Sequence, residues 1–492
     1  MKKTSMALMA LMILVVILTV VFLNQRQLLI GDQSIETPVV RQVDLTGTSF
    51  ENYTFPEGFD IRKYEGITLN FIVENNLSAN ILSLETEEFT KLTGINIKIR
   101  PTDYDTFIQK INLDFISKAG DYQLIYSDPY QTLNRFHDGL EVLNQYMLAP
   151  DLPKLQVPLS DFFKTQLEVC SYFETTDALY TIPFDSTTMV LYYRKDVFED
   201  FKNAFMRDMG YDWTPGSEDF TWERYIEVAK WIDTYVPNEI VEYGSGQMAQ
   251  AHNSIFCEFS NVLASNGGDY FRDENIGTLG RTNFDKLDVM SPAFVSSLDL
   301  YKRIVDVSAP ASLTWKWEDA ADAFSRGKIA MMLNWDENYA QLDNSSNFRV
   351  RGNVGTAILP YGTVRSANIY GGSGIGINKY ASEEEKEAAW FFITWASSKD
   401  MQLRILTEPT GGALPTIQSA YDAIDPDFRA SHPQIDTVLK AWTPENIYLR
   451  PKLENFYTIE QHIIEALHTM VRDDLDPNEV ALTLYRNILE ER

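Results

Sequence analysis

Three apolar runs in the first third of the chain each end on hydrogen-bonding groups. ITLNFIV (67–73) leads into Glu74, Asn75 and Asn76, GINIKI (94–99) into Asp103 and Tyr104, and YQLIY (122–126) into Ser127 and Asp128. A later run, GKIAMMLNWD (327–336), delivers Trp335 and Asp336. Carboxylates and amides accept hydroxyl hydrogens, and ionised acceptors bond roughly twice as strongly as neutral ones. An indole adds a large flat apolar face with little conformational freedom to lose. Each residue also has a plainer reading: the acids as helix caps and Trp335 as core; Trp315 and Trp317, just before a helix, are further candidates for a ligand wall, with core or rim packing their plainer reading.

Catalysis and metal binding find less support. Glycoside hydrolysis needs two carboxylates about 5 to 9.5 Å apart, a distance that spacing along the chain does not measure. The sequence holds no G-x-S-x-G elbow, H-E-x-x-H helix or Walker loop. His137, His252, His432, His462 and His468 are dispersed, and His137 and His252 read as surface or helix-end residues. Five His and two Cys leave little for a soft-metal cage. No catalytic residue, metal or cofactor is expected.

The elements that must position these residues alternate. From Gly66 the chain reads strand, helix (82–92), strand (95–99), helix (107–116) and strand (122–126), the signature of a parallel sheet covered by helices. Ligands of such sheets bind outside the carboxyl ends of the strands, which is where Glu74, Tyr104 and Asp128 fall. Asp336 is expected to cap the next helix. A further passage, YTIPFDSTTMVLYYRKDVFED (180–200), has a strand, a Pro-Phe-Asp break and a second strand. No fixed-period repeat appears, which disfavours a solenoid.

With 492 residues, 45% of them hydrophobic, the chain has material for two or more domains or one large bilobal body. The 70 Asp plus Glu against 42 Lys plus Arg give a formal charge of -28, which disfavours nucleic acid and would steer a cation favourably. Lys2 and Lys3 precede an uncharged run over 4–23, long enough at about 1.5 Å per residue to span a hydrocarbon core. No A-x-A pattern and no cysteine follow Leu23, so an uncleaved signal anchor (1–24) is expected, with a cleaved signal the alternative. The paired lysines put the body outside the cytoplasm. Residues 25–65 lack a period and are expected to be a linker. Cys170 and Cys257 are permitted a disulfide there, with two buried thiols the simpler expectation.

The chain resembles the extracellular solute-binding proteins of ABC importers, in the carbohydrate-type, maltose-binding-like family. The resemblance runs from about residue 66 to the C-terminus. It is carried by ITLNFIV, GINIKI, GDYQLIYSD (120–128), FHDGLEVLNQY (136–146), YTIPFDSTTMVLYYRKDVF (180–198) and DFTWERYIEVAKWI (219–232). Later carriers are AFSRGKIAMMLNWD (323–336), NVGTAILP (353–360), GGSGIGIN (371–378), EAAWFFITWASSKDMQ (387–402) and GGALPT (411–416). The family's lipobox cysteine is missing, which leaves the mode of anchoring open.

The resemblance implies an α/β, periplasmic-binding-protein-like fold: two α/β lobes with a discontinuous chain and a hinged interlobe cleft. Lobe I is expected over 66–185 and 370–417, lobe II over 186–369 and 418–492. Chain crossings would fall near 180–189, 369–374 and 415–421. The GGSG run (371–374) would lend the hinge the conformational freedom of glycine, with Gly372 at the ligand. By the same resemblance Asp128, Asp185 and Thr187 face ligand, Trp335 stacks on a sugar ring, and Arg450, Phe456 and Tyr457 lie near the last lobe return. Implied partners are a carbohydrate ligand and the membrane subunits of an ABC permease, with the body a monomer tethered through its N-terminal segment. A tethered sensor on the same fold, or a receptor for a cationic or peptide-like solute, shares these features and stays open.

Overall fold

The apolar runs become strands where a helix or a second strand is at hand to cover them. The computed structural model describes residues 43–273, 275–408 and 412–490. The apolar run 4–23, the linker before residue 43 and Gly411 lie outside these residues. From Asp44 onward the chain is one compact unit. Strands β1 (Thr68–Glu74), β2 (Asn96–Thr102), β3 (Leu124–Ser127) and β4 (Thr181–Asp185) belong to one sheet. Strands β5 (Met189–Arg194), β6 (Met331–Trp335) and β7 (Val354–Ala357) form a second, in the order β6-β5-β7. A two-residue strand β8 (Asn368–Ile369) precedes β9 (Ser373–Ile377), which returns to the first sheet, and β10 (Ile447–Tyr448) pairs with β8. The first sheet runs β2-β1-β3-β9-β4, with β1 parallel to both β2 and β3, and β9 antiparallel to β3 and β4.

Helix α1 (Leu77–Thr93) starts because Asn76 accepts from the Ala79 N–H at 2.9 Å, and it stops at Gly94, whose φ of 77° only glycine adopts freely. Its buried stripe of Ile81, Leu82 and Phe89 packs on the first sheet, together with α2 (Tyr104–Ser117). The second lobe is covered by α3 (Asn253–Ser265), α4 (Pro292–Asp306) and α5 (Trp317–Ser325). Helix α6 (Glu383–Ala396) returns to the first sheet, and α7 (Phe456–Asp473) and α8 (Pro477–Glu490) pack against α4 in the second lobe. Cys170 and Cys257 are separate buried thiols. Among the described residues no helix is long and apolar enough to cross a membrane.

The reading of 25–65 as a linker is corrected over residues 44–65. Phe50 is wholly buried, with ring centroids 5.9 Å from Phe89 and Phe391 and 6.1 Å from Trp395. The Trp395 indole N–H donates to Ser49 Oγ at 2.8 Å, and Glu88 accepts from the Ser49 N–H at 2.8 Å. The segment is a strap of aromatics glued to α1 and α6, and it hid in the sequence because its apolar residues follow neither the helical nor the strand period.

Chain crossings between the sheets are short and brace each other. Residues 186–188 join β4 to β5, and residues 370–372 join β8 to β9. Gly371 N–H donates to Thr187 carbonyl at 2.9 Å, and Thr188 Oγ1 donates to Ile369 carbonyl at 2.6 Å. The glycines of the GGSG run take no left-handed φ; they are needed for close approach instead. A Cβ on Gly374 would lie 2.2 Å from Thr181 Oγ1.

Candidate functional site

Between the lobes lies a cleft of about 730 Å³, lined by Glu74, Asn75, Asn76, Trp317, Trp335 and Glu337 among others. A smaller inner pocket of about 60 Å³ shares Glu74, Asn76, Trp317, Trp335 and Glu337 with it. The inner pocket adds Tyr104, Asp128, Asp185, Thr187, Asn253, Gly371 and Arg450.

The first lobe supplies its wall from strand ends. Glu74 closes β1, and its carboxyl has no donor within hydrogen-bonding distance among the described residues. Burial, then Asp185 and Asp128, push it up to about 8. Asn76, besides capping α1, donates through Nδ2 to Tyr126 Oη at 2.7 Å and Asp185 Oδ2 at 3.3 Å. Asp185 ends β4 and also accepts from Tyr126 Oη (2.5 Å), Ser78 Oγ (2.8 Å) and its neighbour's N–H at Ser186 (3.0 Å). Burial raises it, and these hydrogen bonds oppose the rise. Asp128 splits its roles: Oδ1 caps the short π-helical turn Pro129–Leu133 through Tyr130 and Gln131 N–H, while Oδ2 faces Arg450 Nη2 at 3.7 Å. Tyr104 opens α2, and its hydroxyl is buried without a partner.

The second lobe supplies its wall from the end of β6. Trp335 is half-buried there, its ring 6.1 Å from that of Trp317 at an interplanar angle of 57°. Trp317, the first residue of α5, meets Tyr104 edge-on at 6.1 Å and the His252 ring at 4.6 Å. His252 is a helix-end residue as expected, its ring accepting from Ser254 N–H at the start of α3. Glu337 accepts from Leu77 N–H of the opposite lobe at 3.3 Å, and its Oε1 is buried without a partner. Burial and the charges of Asp185, Asp336 and Glu74 push Glu337 far up, and its carboxyl hydrogen-bonds that of Asp185. Arg450 is buried, lies 4.1 Å over the Tyr130 ring, and is held charged by Asp128 against the cost of burial.

The structure thus brings Glu74, Asn75, Tyr104, Asp128, Asp185, Thr187, Trp335 and Arg450 to the cleft. It does not bring Gly372 or Tyr457. The glycine in the inner pocket is Gly371: a Cβ there would meet the Trp335 ring at 2.7 Å, whereas one on Gly372 would meet Tyr370 Oη at 2.0 Å. Tyr457 is 39% exposed on the first turn of α7, with the Arg135 guanidinium 5.3 Å from its ring, and Phe456 is core. Asp336 does not cap a helix; its Oδ1 accepts from Thr187 Oγ1 (2.9 Å) and Thr188 N–H (2.8 Å), so it braces the crossing. Burial pushes it up to about 7. Sequence reasoning misses Asn253 and Glu337, places Asn76 at the strand end without a role, and holds Trp317 as a cleft candidate behind core or rim packing. The acid following Asp336 is a signal for Glu337, and only the packing of the helix that Trp317 opens decides between its two readings.

Two lobes, paired crossings between them, and a polar cleft walled by indoles make a device for enclosing a small solute. The model of the family described as "Bacterial extracellular solute-binding protein" matches residues 77–403. The chain belongs to that family. It is a non-enzymatic, extracytoplasmic solute-binding protein of an ABC transporter. A probable amino-acid ABC transporter periplasmic-binding protein of Sinorhizobium fredii is 21% identical over 419 residues, 84% of this chain and 85% of the relative. Maltose-bound MalE3 of T. maritima superposes with a TM-score of 0.71 at 23% identity, covering 87% of this chain and 100% of that one. A solute-binding protein of Agrobacterium radiobacter in complex with ribitol gives 0.70 at 23% identity, covering 86% and 98%. These likenesses define the periplasmic-binding-protein-like fold, whose hinged two-lobe form the crossings at 186–188 and 370–372 realise.

Proposed function

We propose that the solute is a sugar or oligosaccharide, that the lobes close over it, and that the closed protein delivers it to an ABC permease. The observation that carries this reading is the cleft's composition: indoles of Trp317 and Trp335 forming an apolar corner beside Glu74, Asn75, Asn76 and Asn338. A pyranose or polyol offers a C–H face to the corner and hydroxyls to the acids and amides. The complexes of related proteins with maltose and ribitol support the class of ligand. Candidate ligand groups come from both lobes, so a ligand gains most of its contacts only on closure and shifts the population to the closed form. Lobe I is taken as 66–185 with 370–417, together with the strap 44–65 packed on it, and lobe II as 186–369 with 418–492, a division supported by β9 lying in the sheet of β4. The body is taken as a monomer held at the extracytoplasmic face of the cell membrane by residues 4–23.

Calorimetry against a panel of mono- and oligosaccharides tests the reading. Binding by at least one is expected, and Trp335→Ala should weaken it about thirtyfold, the equivalent of about 2 kcal/mol for a stacking anchor. No binding across the panel, or an affinity untouched by Trp335→Ala, refutes it.

A further inference from the structure

The charge in the inner pocket is not balanced. Four carboxyl groups line it, Glu74, Asp128, Asp185 and Glu337, and Arg450 is the one cationic side chain among the described residues that do so. Arg450 is committed: it faces Asp128 at 3.7 Å and covers the Tyr130 ring at 4.1 Å. Glu74, Asp185 and Glu337 are left without a cation. Asp185 is occupied by Tyr126, Ser78, Asn76 and the Ser186 N–H. No hydrogen bond reaches Glu74 among the described residues, and Glu337, which accepts from Leu77 N–H and meets the Asp185 carboxyl, keeps Oε1 buried with no donor.

A purely neutral, hydroxylated ligand does not call for this arrangement. A buried carboxylate costs several kcal/mol unless a positive charge accompanies it, so around a neutral ligand these acids are carried with protons on them. The walls point the same way. Tyr104, Trp317 and Trp335 stand around the pocket, and aromatic faces attract an ammonium by about 0.5–2 kcal/mol each when water is excluded. Carboxyls come from both lobes, Glu74 and Asp185 from the first and Glu337 from the second, so a cation among them would tie the lobes together. Other charged groups facing these three are the Asp128–Arg450 pair, Asp336 behind Thr187 and Glu318 on α5, while Glu460 faces Arg450 and Asp128. Glu460 is itself engaged, accepting from Gln131 Nε2 (2.7 Å) and Asn253 Nδ2 (2.8 Å).

We propose that the solute carries a protonated amine, seated in the inner pocket among Glu74, Asp185 and Glu337, with its hydroxylated remainder along Trp335 in the outer cleft. The ligand class is therefore a polyhydroxylated amine: an amino sugar or an amine-bearing oligosaccharide. This rests on the sugar reading of the same cleft. The ammonium takes the place of protons that the acids hold when the pocket is closed without it, and those protons leave for solvent.

The test is calorimetry at pH 6.5 with glucosamine and its β-1,4 disaccharide against their N-acetylated forms, in two buffers of different ionisation enthalpy. The free amines are expected to bind at least tenfold tighter than the acetylated forms, with proton release and with affinity falling as salt is added. Glu74→Gln replaces a half-buried carboxyl by an amide of the same size, so folding should survive. Whatever it costs both ligands through lost hydroxyl contacts, it should shrink the preference for the free amine over the acetylated form at least threefold and reduce the protons released. Equal or tighter binding of the acetylated forms, or amine binding without proton release, overturns the proposal. A neutral sugar that binds while no amine does overturns the charged ligand and leaves the sugar reading standing. Binding of spermidine with no amino sugar or neutral sugar overturns both.

Discussion

Glu258 gives the sharpest test of how this protein holds buried acids, because it lies away from the cleft. It sits on α3, fully buried in the second lobe. Oε2 accepts from Met248 N–H and from Tyr301 Oη, each at 3.0 Å, and Oε1 has no partner. Burial pushes the group from 4.5 up to about 8, with the two hydrogen bonds opposing. The folded protein therefore keeps a proton that the unfolded chain releases above pH 4.5. Because the native state binds the extra proton, the linked stability is whole below pH 4.5 and is lost as pH rises through 8. At about 1.4 kcal/mol per pH unit, the stretch from pH 5.5 to 8 is worth about 3 kcal/mol. Glu258→Gln keeps an oxygen for both donors and removes the titration. Urea unfolding followed by tryptophan fluorescence at pH steps from 5.5 to 8 should show the wild type losing about 3 kcal/mol relative to the variant. Glu74, Asp336 and Glu460 are also raised by burial and titrate in the same direction, but they are present in both proteins and cancel in the difference. Parallel curves would mean that the folded protein does not protonate Glu258, and the reasoning would fall.

Two other perturbations separate folding from binding. Phe50→Ala empties the ring cluster of the strap, which should cost about 3–5 kcal/mol in urea unfolding; a loss under about 1 kcal/mol would mean that residues 44–65 are not fixed to α1 and α6. Gly371→Ala puts a methyl 2.7 Å from the Trp335 ring, so it should displace the indole and weaken ligand binding about tenfold while the fold survives. Gly372→Ala instead drives into the Asp185 carbonyl at 2.6 Å and should show in thermal unfolding; the two variants behaving alike in both assays would refute the distinction.

What the sequence revealed and what it hid follow from periodicity. Runs such as ITLNFIV and YQLIY are buried on both faces, so they read as parallel strands, and parallel strands leave their carboxyl ends at one edge. That is why Glu74, Tyr104 and Asp128 were legible together. Trp317 was not, because a residue at the first turn of a helix points wherever the helix is packed, and that is decided by β6 and by Tyr104 across the cleft. The strap was hidden for a similar reason: Phe50 and Tyr53 are buried, and Phe55 half-buried, by partners more than thirty residues away, on α1 and α6. Tyr457 shows the converse error. It begins an amphipathic helix whose buried face runs through Phe456 and Glu460, so the neighbouring tyrosine is turned outward.

The end of β6 explains how ligand and hinge are joined. Three consecutive residues there face three different parts of the protein. Trp335 turns its ring to the cleft and against Gly371, which belongs to the second crossing. Asp336 turns back to hold Thr187 and Thr188 in the first crossing. Glu337 reaches over to Leu77 N–H at the start of α1 and to Asp185 in the opposite lobe. The alternation of a strand places successive side chains on opposite faces, and the tight 3-10 turn Asp336–Asn338 adds the third direction. On the proposed reading a solute stacked on Trp335 would bear on the same turn that fixes one crossing and contacts the far lobe. Opening the cleft has to break the Glu337 contacts while Asp336 keeps the crossing in register. On the proposed reading the lobes would rotate about residues 186–188 and 370–372, and contact with ligand on either side of the turn would bias them toward closure.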